Sequence, residues 1–158
     1  MKKIPFLLSL ALVPLFAAQI SVGSPIASLQ AFSYEDPFEN RASIANNTRL
    51  VLVSFEKETG ETAAEFFNAR PADLLAKNRA VYIADIHGMP AIITLLFARP
   101  KMQKYTFPLR LYNKGDAFEK SVPHREGRLT VIFFDEQQKI ASIRYIVTED
   151  ELEALFVR

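Results

Sequence analysis

The apolar residues of this chain gather into short runs whose spacing alternates between strand-like and helix-like periods. Leu50-Val51-Leu52-Val53-Ser54-Phe55 is a nearly unbroken apolar run rich in β-branched residues, the pattern of a strand covered on both faces. A turn is expected at Lys57 to Gly60. After it Ala63, Phe66 and Phe67 fall at i, i+3 and i+4, which predicts a helix over Thr62 to Asn68. Pro71 opens a second helical piece, Ala72 to Lys77, with Leu74 and Leu75 pointing inward. Ala80 to Ile86 reads as another doubly covered strand, stopped by His87-Gly88-Met89-Pro90. Pro90 suits the first turn of a helix, where its missing N–H costs nothing. Ile92, Ile93, Leu96 and Phe97 supply that helix with an apolar face before Pro100 ends it.

Further along, Phe107 to Tyr112 is strand-like, Asn113 to Asp116 is a turn, and Leu129 to Phe134 is a strong strand. Asp135 to Lys139 turns the chain back into Ile140 to Val147, where alternate residues form one more apolar face. Thr148-Glu149-Asp150-Glu151 is a capping box that starts a closing helix with Leu152, Leu155 and Phe156 as its buried stripe. Connections through helices make parallel strand pairs, whereas the short turn at Asp135 to Lys139 forces an antiparallel one. The expectation is therefore a mixed sheet with helices on both sides. Upstream, Ser24 to Asn47 sustains no period and reads as an irregular lead-in, with a turn at Asp36-Pro37 and with Phe32, Tyr34 and Phe38 available as pegs across the core.

The start of the chain changes the picture of where this domain works. Lys2 and Lys3 precede an apolar run from Phe6 to Ala18, and Ser21-Val22-Gly23 offers small residues for cleavage. The run is too short to span a bilayer, which needs roughly 20 apolar residues. Three parts are expected: a signal peptide at 1–23, the irregular lead-in at 24–47 and the folded domain at 48–158. A cut after Ala17 is the alternative, with Leu15 three residues before the cut; Gly23 with Ser21 is preferred. The expected location is the periplasm, or the exterior, with no membrane span in the mature chain.

Charge adds little beyond exclusions. The formal net charge is +1, but Met1 to Gly23 holds two lysines and no acid, so the mature chain comes to about −1. The charges are interspersed, which argues against a nucleic-acid or anionic-membrane partner. About 135 mature residues make one domain's worth of core. The chain has no cysteine, so packing alone must hold an exported domain together.

The order of elements from Leu50 to Phe156 resembles the thioredoxin-like superfamily and, more loosely, its exported YtfJ-type members. The resemblance rests on the strand Leu50 to Phe55 leading into a turn and helix, the strand Val81 to Ile86 ending near an acid, and the ending Leu129 to Phe156. It implies a three-layer α/β/α fold with a mixed central sheet, a β-hairpin and a C-terminal helix. In that superfamily a CxxC motif sits at the N-terminus of the helix after the first core strand, where the helix end stabilises a thiolate. The matching stretch here, Glu56 to Thr62, has no sulfur. Thiol-disulfide exchange and thiol peroxidase chemistry are excluded by composition. The superfamily's cis-proline, expected near Arg128 and Leu129, is also missing; Pro123 lies six residues before Leu129.

Other candidate chemistry is sparse. Thr59 and Thr62 could stand in for the two sulfurs as hydroxyl groups, although an N-cap is the ordinary role of threonine at a helix start. The chain holds two histidines, His87 and His124. Asp85 and His87 fall on the same side of a strand at its C-terminal end, where open α/β sheets bind ligands. The ordinary role of Asp85 is to cap the next helix, and that of His87 is to pack in a loop. Arg99, Lys101 and Lys104, with Arg110 and Lys114, form a candidate anion-binding face against the plainer reading of a solvated loop. No metal site and no cofactor are predicted, and no Gly-rich phosphate-binding motif occurs. The favoured function is an exported binding or accessory module that contacts another envelope or periplasmic protein. The alternative is a cysteine-free enzyme or small-ligand carrier, an oxidoreductase with a bound cofactor being one form of it, built around Thr59, Thr62, Asp85, His87 and His124.

Overall fold

The computed structural model describes residues 19–157, so the apolar run Phe6 to Ala18 of the expected signal peptide lies outside the described residues. In chain order come α1 (Ala27–Gln30), β1 (Tyr34–Glu35), β2 (Arg41–Ala42), β3 (Leu50–Ser54), α2 (Lys57–Asn68), α3 (Leu74–Lys77) and β4 (Ala80–Asp85). A helix in three parts follows: α4 (Ala91–Ile93), a π-helical segment Thr94–Ala98, and α5 (Arg99–Met102). Then come β5 (Arg110–Tyr112), α6 (Ala117–Ser121), β6 (Leu129–Phe134), β7 (Ile140–Ile146) and α7 (Glu149–Ala154).

The strands make one sheet in the order β2-β1-β5-β4-β3-β6-β7. β3 pairs with β4, and β4 with β5, in parallel; the other pairs are antiparallel. This is the mixed sheet that helical connections and one short turn require, with the hairpin and C-terminal helix where the sequence places them. Every residue of β3 and β4 is buried because alternate side chains serve different layers. Leu50, Leu52 and Tyr82 meet Phe66, Phe67 and Leu152 on one face. Val51, Val53, Val81 and Ile83 meet Leu29 and Phe118 on the other.

Several local expectations shift. α2 begins at Lys57, so the residues read as a turn form its first turn, Gly60 included, and Gly60 N–H donates to Glu56 O at 3.0 Å. Burial of Ala63, Phe66 and Phe67 outweighs the glycine's cost of about 1 kcal/mol. Pro100 does not end its helix. Arg99 N–H reaches back to Thr94 O, and this wider turn leaves Pro100 at the start of α5, where no N–H is needed. The lead-in is more regular than its sequence suggests: it supplies α1 and, as β1 and β2, the edge of the sheet. Two of its three pegs engage, Tyr34 by donating its hydroxyl to Leu29 O at 2.7 Å and Phe32 by meeting Phe118 edge-on. Phe38 is exposed.

The capping box forms as expected. Glu151 N–H donates to Thr148 Oγ1 at 3.2 Å, and the Glu151 carboxylate accepts from Thr148 N–H at 2.9 Å. α7 is short, so its docking through Leu152 depends on that start. Thr148→Ala should therefore destabilise the domain by about 1 kcal/mol. Urea unfolding would show it as a lower midpoint with an unchanged slope.

Candidate functional site

The two central strands end beside a cavity of about 720 Å³. The first turn of α2 bounds one side through Glu56, Lys57, Gly60 and Glu61, and the α4 to α5 helix bounds another through Ile93, Phe97 and Met102. The stretch where the resemblance would place a CxxC motif is thus part of the cavity wall. At its floor Ser54 Oγ and Tyr82 OH are hydrogen-bonded at 2.8 Å, both buried. Burial pushes the Tyr82 phenol far above its usual range, with the Ser54 bond opposing this in part, so the group stays neutral and can act only as a hydrogen-bonding partner.

A chain of carboxylates and imidazoles starts in the cavity wall at Asp85, His87 and Glu119 and ends outside it at His124. Asp85 Oδ1 accepts from His87 N–H at 3.0 Å and lies 2.8 Å from His87 Nδ1. A carboxylate only accepts, so the Nδ1 proton belongs to His87 while Asp85 is ionised. His87 Nε2 faces Glu119 Oε2 at 3.4 Å, and Glu119 Oε1 faces His124 Nε2 at 3.7 Å. His124 Nδ1 donates to Val122 O at 3.1 Å, and its ring packs on Phe55 with centroids 4.6 Å apart. The two histidines are therefore joined through one carboxylate on α6, a helix that the sequence reading did not identify. A lone Glu119 between polar neighbours carries no signal of that role.

Asp85 is the buried member. Its side chain is 1% exposed, and Oδ2 has no hydrogen-bond partner. Burial raises its carboxyl above the ordinary range despite the opposing bonds from His87. A buried acid with an unpartnered oxygen in a cavity wall is a candidate for binding or proton handling.

The threonines are elsewhere in purpose. Thr59 Oγ1 donates to Glu56 O at 3.0 Å and Thr62 Oγ1 to Glu58 O at 3.1 Å, so both hydroxyls are tied to their own helix, and neither residue lines the cavity. The N-cap of α2 is Glu56, whose carboxylate accepts from Gly127 N–H at 2.9 and 3.0 Å. Among the described residues no group of three or more acidic or histidine side chains is arranged to hold a metal ion. The basic residues near the helix do not converge: Arg99 pairs with Glu35 at 2.6 Å, Lys101 with Glu61 at 3.3 Å, and Arg110 donates to Ser43 O.

The α4 to α5 helix is apolar on the wrong side. Ile92, Ile93, Leu95, Leu96 and Phe97 are between 42% and 64% exposed, whereas its one buried residue is Arg99. The apolar face read from the sequence exists, but the domain does not cover it. The helix is held at its C-terminal end, by the Arg99 ion pair, by Met102 packing against the core, and by Gln103 Nε2 donating to Pro37 O at 3.1 Å.

No family model matches the sequence, and no curated protein matches it. Solved structures do. A cysteine-to-serine mutant of PrxQ from Xylella fastidiosa is 12% identical over 87% of this chain and 94% of its own, with a TM-score of 0.56. The bacterioferritin comigratory protein of Xanthomonas campestris, described for alkyl peroxide reduction, is 11% identical over 87% and 96%, at 0.53. StoA from Bacillus subtilis is 18% identical over 78% and 94%, at 0.50. Identity this low shows the fold and nothing more: the chain has a thioredoxin-like three-layer α/β/α fold, without cysteine.

Proposed function

We propose that this chain is an exported, thioredoxin-like binding module of the cell envelope that performs no thiol chemistry and docks an apolar segment of another envelope protein. The observation that carries this reading is the exposed face of the α4 to α5 helix, continuous with the cavity through Ile93 and Phe97. Five large exposed apolar side chains within six residues, Ile92 to Phe97, make an apolar patch, and exposed patches of this kind mark interaction sites. A small molecule confined to the cavity would leave Ile92, Leu95 and Leu96 uncovered. A protein segment covers them and still places a side chain inside. Lys2, Lys3 and the apolar run after them support export.

A second reading has its own observation. The cavity volume falls within the range of small-molecule sites, and the unpartnered Asp85 Oδ2 borders it, so a ligand carrier or a cysteine-free enzyme would use Asp85 and His87 as its polar anchor.

Three outcomes are expected. The pure protein turns over neither disulfide nor peroxide substrates; measured turnover would refute the composition argument. The double variant Leu96→Glu with Phe97→Glu keeps its circular dichroism spectrum but recovers the envelope partner crosslinked by the native protein at least about tenfold less well. Glu136→Lys, in the turn between β6 and β7, serves as the control, and equal recovery by all three proteins would sink the docking reading. Asp85→Asn raises the thermal midpoint at pH 7. Because the folded carboxyl is raised above 3.8, the folded state binds the extra proton, and native stability falls as pH rises from about 3.8 through the folded value. The gain from Asp85→Asn should shrink on acidification and vanish below that window.

A further inference from the structure

The residues just before Ser24 are built into the fold, and this bears on where the export signal is removed. Ile20 is 3% exposed and packs in the core on the α6 side of the sheet. Its N–H donates to Ser121 O at 2.8 Å, at the end of α6. Gly23 N–H donates to Ile140 O at 2.8 Å, and Ile140 N–H returns to Ser24 O at 2.9 Å. Ile26 N–H donates to Gln138 O, and Pro25 forms a bridge with Lys139. The stretch from Ile20 to Ile26 therefore runs along the start of β7 and ties the closing hairpin to α6.

The same geometry accounts for the small residues that read as a cleavage signal. Ser21 N–H donates to Ser24 Oγ at 3.1 Å and Ser24 N–H to Ser21 O at 3.0 Å, a tight turn. Gly23 has φ of +90°, a conformation for which glycine is the ordinary residue. Ser21-Val22-Gly23 is turn chemistry, complete without a peptidase.

We infer that the export signal is removed between Ala17 and Ala18, upstream of Ile20, and not after Gly23. The inference rests on the exported reading above. A cut there puts Ala17 and Leu15 one and three residues before the scissile bond. One residue later Phe16 would take the third position, which favours small side chains. A cut after Gly23 would take Ile20 out of the core and strip Ser121 O and Ile140 O of their donors.

The full chain, expressed in a Gram-negative host and recovered from the periplasm, should give an N-terminal sequence beginning at Ala18, with the intact mass to match. A sequence beginning at Ser24 would overturn the inference while leaving export standing. A chain recovered from the cytoplasm with its first residues uncut would refute export itself, and this proposal with it. The structural basis has a separate check: of two proteins produced without a signal, one starting at Ala18 and one at Ser24, the shorter should melt lower by about 4 °C or more. Equal melting temperatures would show that Ile20 contributes nothing, and would overturn the argument.

Discussion

Burial of β3 and β4 on both faces is the constraint from which the rest of the molecule follows. Two adjacent parallel strands with no exposed residue need helices above and below, and those helices leave the strands' C-terminal ends as the natural opening. Ser54 and Asp85 end β3 and β4 there, and Tyr82, in mid-strand, brings its hydroxyl to Ser54. Ser54 and Tyr82 satisfy each other. Asp85 has His87 on one oxygen and nothing on the other, which makes it the point where the fold accepts a cost in stability.

What could be read from the sequence divides along physical lines. Elements whose burial follows from a local period were legible: the strand runs, the Ala63 to Phe67 stripe, and the capping box at Thr148. Elements held by distant partners were not. α6 is five residues long and owes its position to Phe118, which packs against Phe32, Tyr34 and Phe55. No window of local sequence contains those contacts. Glu119 was missed for the same reason, since its role exists only once α6 lies between the two histidines. Asp85 and His87 do meet, but not by the strand alternation expected: β4 ends at Asp85 and His87 sits in the turn after it, where its N–H and its ring both reach the Asp85 carboxylate. His124 joins them only through Glu119 of α6, a link invisible at the level of spacing.

The α4 to α5 helix shows where a correct pattern leads to an incomplete conclusion. Amphipathic periodicity identifies an apolar face but does not say what covers it. In α2 and α7 the domain's own core covers that face; here nothing in the described chain does. The π-helical segment sits in the middle of this face, between the polar anchor at Arg99 and the cavity wall at Ile93. Wider turns of this kind recur at functional sites because they displace side chains from the positions a regular helix would give them.

The fate of the empty redox position can be argued from charge. In a thiol enzyme of this fold the helix end after the first core strand faces an anion, the thiolate, and its partial positive charge lowers the thiol's pKa. Here the N-cap residue itself brings the anion: Glu56 places a carboxylate at the start of α2 and anchors it on Gly127 N–H, two residues before β6. That carboxylate makes no hydrogen bond to the helix's own N–H groups; it puts a negative charge beside them, and its contact with Gly127 ties the start of α2 to the loop leading into β6. An anion approaching that helix end from the cavity would meet the like charge of Glu56 in the wall. The cavity therefore carries a fixed negative charge at its α2 wall and an unpartnered acceptor, Asp85 Oδ2, on its β4 side, so a hydrogen-bond donor entering it would find its free partner at Asp85, beside the helix whose apolar face the described chain leaves uncovered.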